Sequence, residues 1–125
     1  MPDFAAAASR IFDAYNAKDF AKLRSLVSPT IDMAHFNRNY ATNSLDELVK
    51  TMEIFANQLM KNRRFEPPER VQQLGNMVIR EAYWGGTAEV DIPGFGSAGA
   101  TLRAKLCSVL RFDDKGILVE WKDYG

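Results

Sequence analysis

A carboxylate near the end of the chain stands in phase with a hydrophobic stripe. Asp123 follows Ile117, Val119 and Trp121 at steps of two residues, and strand side chains two positions apart project to the same face. A carboxyl group on an apolar face loses hydration, which raises its pKa and suits it to act as a base or a proton donor. The alternative is a carboxylate at a strand end that is solvated or paired with Lys or Arg.

The single histidine, His35, raises the same question. It stands in phase with Ile31 and Met33 on a short predicted strand, so its ring should point the way they do. A neutral imidazole in an apolar pocket titrates near working pH, which suits a general base or acid. A partly buried histidine bonded to backbone is the simpler interpretation. His35 and Asp123 can act together only if they face one cavity.

A long β-hairpin must position Asp123. Two alternating runs, 102–112 and 117–124, flank a polar turn that ends in Gly116, and this pattern predicts two antiparallel strands. Cys107 lies on the strand face opposite Leu106 and Ser108. Since no base is near it in the sequence, we interpret it as a packing residue rather than a nucleophile.

The elements before the hairpin predict an α+β domain. Helical spacing of apolar residues predicts three helices, over 3–17, 20–27 and 45–59. Asp19 caps the second helix, and Ser28-Pro29 ends it. The third helix begins with the capping box Ser44-Leu-Asp-Glu47. Further strands are predicted at 31–36, 70–74, 77–84 and, weakly, 87–92, with loops at 37–42, 85–86 and 93–99. Helices followed by strands joined in hairpins are typical of an α+β fold, and 125 residues predict one domain, 1–125.

Composition excludes several function classes. Sixteen Lys and Arg balance 16 Asp and Glu, so no net field would hold nucleic acid or an acidic membrane. One cysteine and one histidine leave no internal disulfide and no structural zinc site. Without a secretion signal or a membrane-spanning apolar run, we expect a soluble, cytoplasmic protein.

The segment Gly94–Gly99 spells G-x-G-x-x-G, a pattern that can bind a dinucleotide. That function needs a buried strand before the motif and a helix after it. The preceding run carries Glu89 and Asp91, unlike a buried parallel strand, and too little chain follows for further βαβ units. We therefore predict a flexible loop, and no organic cofactor.

Two stretches resemble the SnoaL-like branch of the nuclear transport factor 2-like superfamily. They are Tyr15-Asn-Ala-Lys-Asp-Phe, between the first two helices, and the hairpin from Arg111-Phe-Asp-Asp-Lys-Gly to Trp121-Lys-Asp-Tyr. The resemblance covers nearly the whole chain. It implies a cone-shaped, curved, mixed or antiparallel sheet wrapped around about three N-terminal helices, with a deep apolar pocket and frequently a homodimer through the outer sheet face. The family includes isomerases, cyclases, epoxide hydrolases and non-catalytic binders, so activity must be argued from the site.

Carried over residue by residue, the resemblance is partial. Asp123 is similar to the carboxylate with which limonene epoxide hydrolase activates water and protonates the epoxide. The Arg-x-Asp of that enzyme is matched here by Arg80-Glu-Ala, which lacks the second Asp. His35 stands where ketosteroid isomerase has its Asp base, and Ile11 and Ser108 replace the oxyanion donors of the isomerase.

Together with the resemblance, these residues predict a small homodimeric enzyme that acts by general acid/base chemistry, without metal or organic cofactor, on an apolar polyketide, terpenoid or steroid-like compound. His35 would move a proton and Asp123 would orient it or act as partner acid or base. Six other side chains are predicted to bind the substrate: Tyr15, Arg38, Tyr40, Tyr83, Trp84 and Trp121. The alternatives are a non-catalytic binding module for an apolar ligand and a structural dimerisation domain.

Overall fold

The structure, a computed structural model, describes residues 2–125. Its helices are α1 (Phe4–Asn16), α2 (Phe20–Leu26) and α3 (Leu45–Ile54), and α3 continues as a π-helical segment over Phe55–Leu59. The strands are β1 (Val27–His35), β2 (Tyr40–Thr42), β3 (Arg64–Phe65), β4 (Arg70–Leu74), β5 (Met77–Thr87), β6 (Thr101–Phe112) and β7 (Leu118–Tyr124), with a 3-10 turn over Phe36–Arg38. The predicted α+β class is confirmed.

Side-chain caps fix where the helices begin. The carboxylates of Asp3 and Asp19 cap α1 and α2, and the Ser44 hydroxyl caps α3, each accepting a bond from a backbone N–H that the first helical turn leaves free. Only the Ser44 half of the predicted capping box forms. The Glu47 carboxylate instead accepts a bond from the Thr42 hydroxyl, which in turn accepts one from the Ser44 N–H.

One curved, open sheet holds all seven strands. Its order is β2-β1-β7-β6-β5-β3, and β4 pairs with the same edge of β5 as β3 does. β1 and β7 run parallel, whereas every other pair among the described strands is antiparallel. The sheet is therefore mixed, and β6 with β7 forms the predicted hairpin.

The inner face of the sheet packs against α1 and carries the core. Even-numbered residues of β5 and β6, such as Val78 and Leu110, are buried on this face. Aromatic rings join the layers: Phe12 of α1 lies edge-on to Trp121 of β7, with ring centroids 5.4 Å apart. Phe4 stacks on Phe112 at 5.5 Å. Such pairs bury large apolar areas and hold the helix at a fixed position on the sheet.

Gly85 and Gly86, predicted as a loop, lie inside β5. A Cβ atom at Gly85 would stand 2.0 Å from the Leu102 carbonyl oxygen, and one at Gly86 would stand 2.7 Å from Cγ of Met60. The two glycines allow close backbone approach within a continuing strand. The predicted weak strand at 87–92 is wrong beyond Thr87, since 88–91 are irregular or bent and Ile92 forms only an isolated bridge with Gly96.

β1 begins at Val27, directly after α2, and passes through the predicted helix stop at Ser28-Pro29. The pairing of β1 with β7 is irregular between Val27 and Asp32. Pro29 lies in that interval, where its missing N–H removes no bond of the regular ladder. The predicted loop at 37–42 contains the short strand β2.

A bulge in β7 changes the predicted phase of the hairpin. Phe112 pairs with Leu118 but Arg111 pairs with Glu120, so Val119 is the extra residue. Leu118, Trp121 and Asp123 are buried on the inner face. The placement of Ile117 and Val119 on the face of Asp123 is therefore wrong, whereas that of Trp121 is confirmed.

Within residues 2–125, none of the helices has the length and apolar character that crossing a membrane requires.

Candidate functional site

A cavity of about 240 Å³ lies between the inner sheet face and the helices. We refer to it below as the cavity. Ligand sites in proteins are typically lined by apolar and aromatic side chains with a few polar groups. The apolar part of this lining is Met33, Leu48, Met52, Phe55, Phe65, Trp84, Phe95, Leu106 and Trp121. The polar part is Tyr15, His35, Arg38, Tyr40, Thr51 and Asp123.

A row of polar side chains crosses the inner face over five adjacent strands. Cross-strand pairing places Arg80 beside Ser108, Ser108 beside Asp123, Asp123 beside His35, and His35 beside Tyr40. Paired residues project to the same face, and neighbouring strands lie about 4.8 Å apart. We call these five residues the polar row. The next positions along the same strands are mostly apolar: Val78, Leu110, Trp121, Met33 and Thr42.

Asp123 is buried, and its two carboxylate oxygens have different surroundings. Oδ1 accepts bonds from Ser108 Oγ at 2.6 Å and from Trp121 Nε1 at 2.8 Å. No group among residues 2–125 donates a hydrogen bond to Oδ2. This oxygen is not fully enclosed by protein atoms, and it faces the cavity that Asp123 lines. One oxygen thus fixes the carboxyl group and the other is available to a ligand.

Burial raises the pKa of the Asp123 carboxyl above its usual range. The bonds from Ser108 and Trp121 act in the opposite direction, as do the positive charges of His35 and Arg80, but they do not cancel the effect of burial. Asp123 therefore takes up a proton more readily than a solvated aspartate does, and its carboxylate is a stronger base.

His35 is the last residue of β1 and lines the cavity. Its ring is half-buried, and Nε2 lies 3.4 Å from the Gly125 carbonyl oxygen. The Gly125 N–H donates to the Asn37 side chain, which ties the chain end to the 3-10 turn. His35 is therefore more exposed than Asp123, and both residues line the same cavity.

Arg80 ends the polar row behind the cavity lining. Its guanidinium is buried 3.9 Å from the centroid of the Phe12 ring, and Nη1 has no hydrogen-bond partner within the described chain. Burial lowers the pKa of Arg80, and the charges of Asp13 and Asp123 oppose that effect. Its positive charge favours the ionised form of Asp123, although the Arg80 side chain does not line the cavity.

Tyr15, in the last turn of α1, is held on two sides. Its hydroxyl oxygen accepts a bond from Trp84 Nε1 at 2.8 Å. The Arg63 guanidinium lies 4.0 Å from the ring centroid, and its Nη2 donates to the Tyr15 carbonyl oxygen at 2.8 Å. Burial raises the pKa of Tyr15 even though Arg63 and Trp84 oppose it, so the phenol keeps its proton.

The loop that contains Gly94–Gly99 reaches the cavity rather than a phosphate site. The Arg38 guanidinium lies 4.3 Å from the Phe95 ring centroid and Nη1 donates to the Gly94 carbonyl, whereas Nε is buried without a partner in the part of the chain described. The motif leads into β6 and not into a helix, so it lacks the helix N-terminus that a dinucleotide needs. Tyr40 lines the cavity nearby and bonds Thr51 at 3.4 Å.

Tyr83 lies outside the cavity, which corrects its predicted place in the pocket. It occupies an outward-facing position of β5, where the Arg103 guanidinium covers its ring at 3.6 Å from the centroid. The other seven predicted side chains line the cavity. Ser108 and Arg80 were not predicted as site residues, although each stands in phase with buried apolar neighbours on its strand, the same signal that singled out Asp123.

Among residues 2–125, no cluster of three or more His, Cys, Asp or Glu side chains has an arrangement that could hold a metal ion. The cavity lining includes one carboxyl group, Asp123, one imidazole, His35, and two phenols, Tyr15 and Tyr40.

The chain is similar to known proteins at the level of family and fold. A family model described as a SnoaL-like domain matches residues 8–121. No curated protein sequence matches significantly. Among solved structures, a candidate polyketide cyclase from Pseudomonas putida KT2440 superposes with a TM-score of 0.84 at 18% identity, covering 100% of this chain and 92% of the other.

Two further solved structures share the fold. A candidate hydroxylase, AclR, from Streptomyces galilaeus gives a TM-score of 0.76 at 22% identity, covering 96% of this chain and 76% of the other. The second is a hypothetical protein from Catenulispora acidiphila DSM 44928 with a ketosteroid isomerase-like fold, solved in complex with trimethylamine. It gives a TM-score of 0.78 at 12% identity, covering 95% of this chain and 84% of the other. At such identities the likeness shows the fold, and activity has to be argued from the cavity.

Proposed function

This chain belongs to the SnoaL-like domain family, and we propose that it is a small-molecule enzyme that acts by general acid/base chemistry on an apolar metabolite in the cavity. The observation that carries the proposal is the pairing of His35 with Asp123 on adjacent strands, both lining one mostly apolar cavity. An imidazole and a carboxyl group placed side by side can pass a proton to each other or to a bound compound.

Asp123 has the features of the group that reacts with the ligand. Its Oδ1 is fixed by Ser108 and Trp121, so Oδ2 is held in one orientation toward the cavity. Burial raises the pKa of its carboxyl, and a base is most effective when its pKa lies near the operating pH. Asp123 would therefore remove or deliver the proton in the chemical step.

His35 is suited to exchange that proton with solvent. It is half-buried while Asp123 is buried, and the two are neighbours in the polar row. Isomerisation, cyclisation and epoxide hydrolysis all require a proton to leave one atom and reach another, and a relay of this kind serves each of them. Similarity in fold to a candidate polyketide cyclase and a candidate hydroxylase supports a carbon-rich substrate.

The cavity limits the size of the substrate. Its volume of about 240 Å³ is just below the usual 300–1,000 Å³ of ligand pockets. A compact polyketide, terpenoid or steroid-like fragment with one or two rings fits that volume better than an extended chain does. The lining supplies apolar contact over most of its surface through Met33, Leu48, Met52, Phe55 and Leu106.

Incubation with a panel of cyclic ketones, terpene epoxides and hydroxylated aromatic compounds tests the proposal. Products are followed by mass spectrometry, and proton exchange at ketone α-carbons is followed by NMR in D2O. We expect Asp123→Asn and His35→Gln to lower the rate, Asp123→Asn by about 10²- to 10⁴-fold. Asp32→Asn is the matched control, because Asp32 is exposed and paired with Lys122 on the outer face.

Three outcomes separate the proposal from its alternatives. Normal rates in both variants would contradict an acid/base enzyme. Binding of panel compounds without turnover, unchanged in Asp123→Asn and His35→Gln, would favour a binding module. No binding of any compound by a folded wild-type chain would favour a structural role.

A further inference from the structure

The loop that joins β5 to β6 is much longer than a hairpin needs. β5 ends at Thr87 and β6 begins at Thr101, whereas most hairpin loops have about two to five residues. The base of the loop continues the strand pairing, since the Ala88 N–H donates to the Ala100 carbonyl oxygen at 2.9 Å. Beyond this base the chain reaches the cavity, where Phe95 forms part of the lining. Long loops in a small domain usually serve a function, and closing a ligand site is one such function.

Internal hydrogen bonds hold residues 91–98 of this loop together as one unit, which we call the lid. Ile92 and Gly96 exchange two backbone bonds, of 2.8 and 3.0 Å. The Asp91 carboxylate accepts a further bond from the Ala98 N–H at 2.8 Å. A segment that is closed on itself in this way can move as one body without breaking its own bonds.

Two apolar side chains of the lid pack against the rest of the protein. Ile92 is buried in the core. The Phe95 ring packs edge-on against Phe55 and Trp84, with centroids 5.2 and 6.0 Å apart. Both of these aromatic partners also line the cavity, and Phe55 begins the π-helical segment, a type of distortion that is frequent at functional sites. The lid therefore supplies one part of the cavity wall, the Phe95 ring.

Arg38 connects the lid to the 3-10 turn that follows β1. Its guanidinium lies 4.3 Å from the Phe95 ring centroid, and Nη1 donates to the Gly94 carbonyl oxygen. Among residues 2–125, this is the only hydrogen bond between the lid and the chain outside its own loop. The turn is itself fixed, because the Asn37 side chain accepts a bond from the Gly125 N–H. We call the two contacts of Arg38 the latch.

The residues at both ends of the lid are suited to act as hinges. On one side Glu89 is fixed, because its N–H donates to the Leu59 carbonyl oxygen at 2.8 Å, and the exposed Val90 leads from it into the lid. On the other side Gly99 has a φ of 85°, and a Cβ atom there would have no heavy atom within 4 Å. Glycine adopts either sign of φ at little cost, and hinges are a few such terminal positions that absorb the change in φ and ψ.

We propose that the lid is the gate of the cavity and that Arg38 keeps it closed. A ligand enters when the latch opens and the lid turns about Val90 and Gly99, and closure returns Phe95 to the cavity wall. The inference concerns access to the cavity and depends on no chemical step within it. Because the latch joins two parts of the protein, it stabilises the closed state equally with and without a ligand. It therefore slows entry and exit by the same factor and leaves the affinity unchanged.

Stopped-flow binding of 1-naphthol, a compact bicyclic probe, tests the gate. We expect Arg38→Met to raise the association and dissociation rate constants by about 10-fold each, the lower end of what a hydrogen bond from a charged donor contributes, and to change Kd by less than about 2-fold. Arg103→Met is the matched control, because it removes a guanidinium 3.6 Å from the Tyr83 ring centroid, outside the cavity; it should bind at wild-type rates. A rise in the dissociation rate alone would show that Arg38 is only part of the wall and would overturn the gate.

A second measurement needs no ligand. Ile92 belongs to the lid, so the exposure of its methyl groups reports movement of the whole lid rather than loss of the Arg38 side chain from the Phe95 ring. NMR of labelled isoleucine methyl groups with a soluble paramagnetic reagent measures that exposure, with the buried Ile11 and the exposed Ile54 as references. We expect the relaxation of the Ile92 methyl signals to rise in Arg38→Met and to stay at the wild-type value in Arg103→Met.

Each outcome decides the inference independently of the proposed function. Ile92 methyl groups equally protected in wild type and Arg38→Met would overturn the latch, whether or not 1-naphthol binds. More exposed Ile92 methyl groups with an unchanged association rate would show that the lid moves without controlling entry, and would overturn the gate. Neither result bears on acid/base catalysis, which Asp123→Asn and His35→Gln test separately.

Discussion

The substitution Asp123→Asn should lower activity and, above mildly acidic pH, increase stability. The amide keeps the size of the carboxyl group. Its oxygen can still accept the two hydrogen bonds that Oδ1 of Asp123 accepts, from Ser108 Oγ at 2.6 Å and from Trp121 Nε1 at 2.8 Å. It cannot ionise, so the proton transfer assigned to Asp123 is lost. A positioned acid or base contributes about 10²- to 10⁴-fold to the rate, and the loss of turnover should lie in that range.

The effect on stability follows from the pKa of Asp123. Burial raises that pKa in the folded protein, whereas an aspartate in an unfolded chain titrates near about 3.9. Between the two values the folded chain binds more protons than the unfolded chain, so the free energy of unfolding falls as pH rises through this window. Each pKa unit between the two states corresponds to about 1.4 kcal/mol. An asparagine at this position does not titrate, so the variant does not lose stability as the pH rises through this window.

Urea unfolding between pH 3 and pH 8 measures the effect for wild type, Asp123→Asn and the exposed control Asp32→Asn. We expect Asp123→Asn to be at least as stable as wild type at pH 8, with a difference that shrinks toward pH 3, where wild-type Asp123 is also neutral. The control should show no such pH dependence. A variant that is less stable at pH 8, by an amount that grows with pH, would mean that the ionised carboxylate stabilises the fold and would refute this reasoning.

Two further substitutions test other parts of the structure. Arg63→Met removes a buried guanidinium whose Nε and Nη1 have no partners within residues 2–125. A buried polar group without a partner costs about 1–3 kcal/mol, so urea unfolding should show an equal or higher free energy of unfolding; a clear loss would show that the guanidinium stabilises the fold through Tyr15. Val109→Glu places a charge on the outer face of β6, between Ile79 and Lys122. It should dissociate the predicted homodimer, as measured by sedimentation velocity. A wild-type protein that is monomeric at every concentration would contradict that assembly.

Strand phase carried most of what the sequence could predict about the site. It put His35 on the face of Met33 and Asp123 on the face of Trp121, and these placements hold because paired strands preserve alternation. The same rule excludes a shared pocket for Tyr83 and Trp84, which are consecutive in β5 and face opposite ways. That error came from grouping aromatic residues by type rather than by position.

Other features depend on contacts between distant parts of the chain. The bulge at Val119 is set by how β7 pairs with β6, and the strand character of Gly85 and Gly86 by close approach of Leu102 and Met60. No local pattern encodes either contact. Proximity of Arg63 to Tyr15, 48 residues away in sequence, is of the same kind, so this contact could be recognised only in the folded structure.

The hydrogen-bonding groups that the protein leaves free define the ligand more narrowly than the apolar lining does. Tyr15 has a proton to donate, and Oδ2 of Asp123 has lone pairs to accept with. A hydrocarbon in the cavity would leave these groups buried and unpaired, at a cost of about 1–3 kcal/mol each. Sites built to bond a polar atom reject analogues that lack it far more strongly than apolar walls reject a change in size. Selectivity should therefore follow the position of oxygen atoms on the substrate, and the choice among ring systems should be weaker.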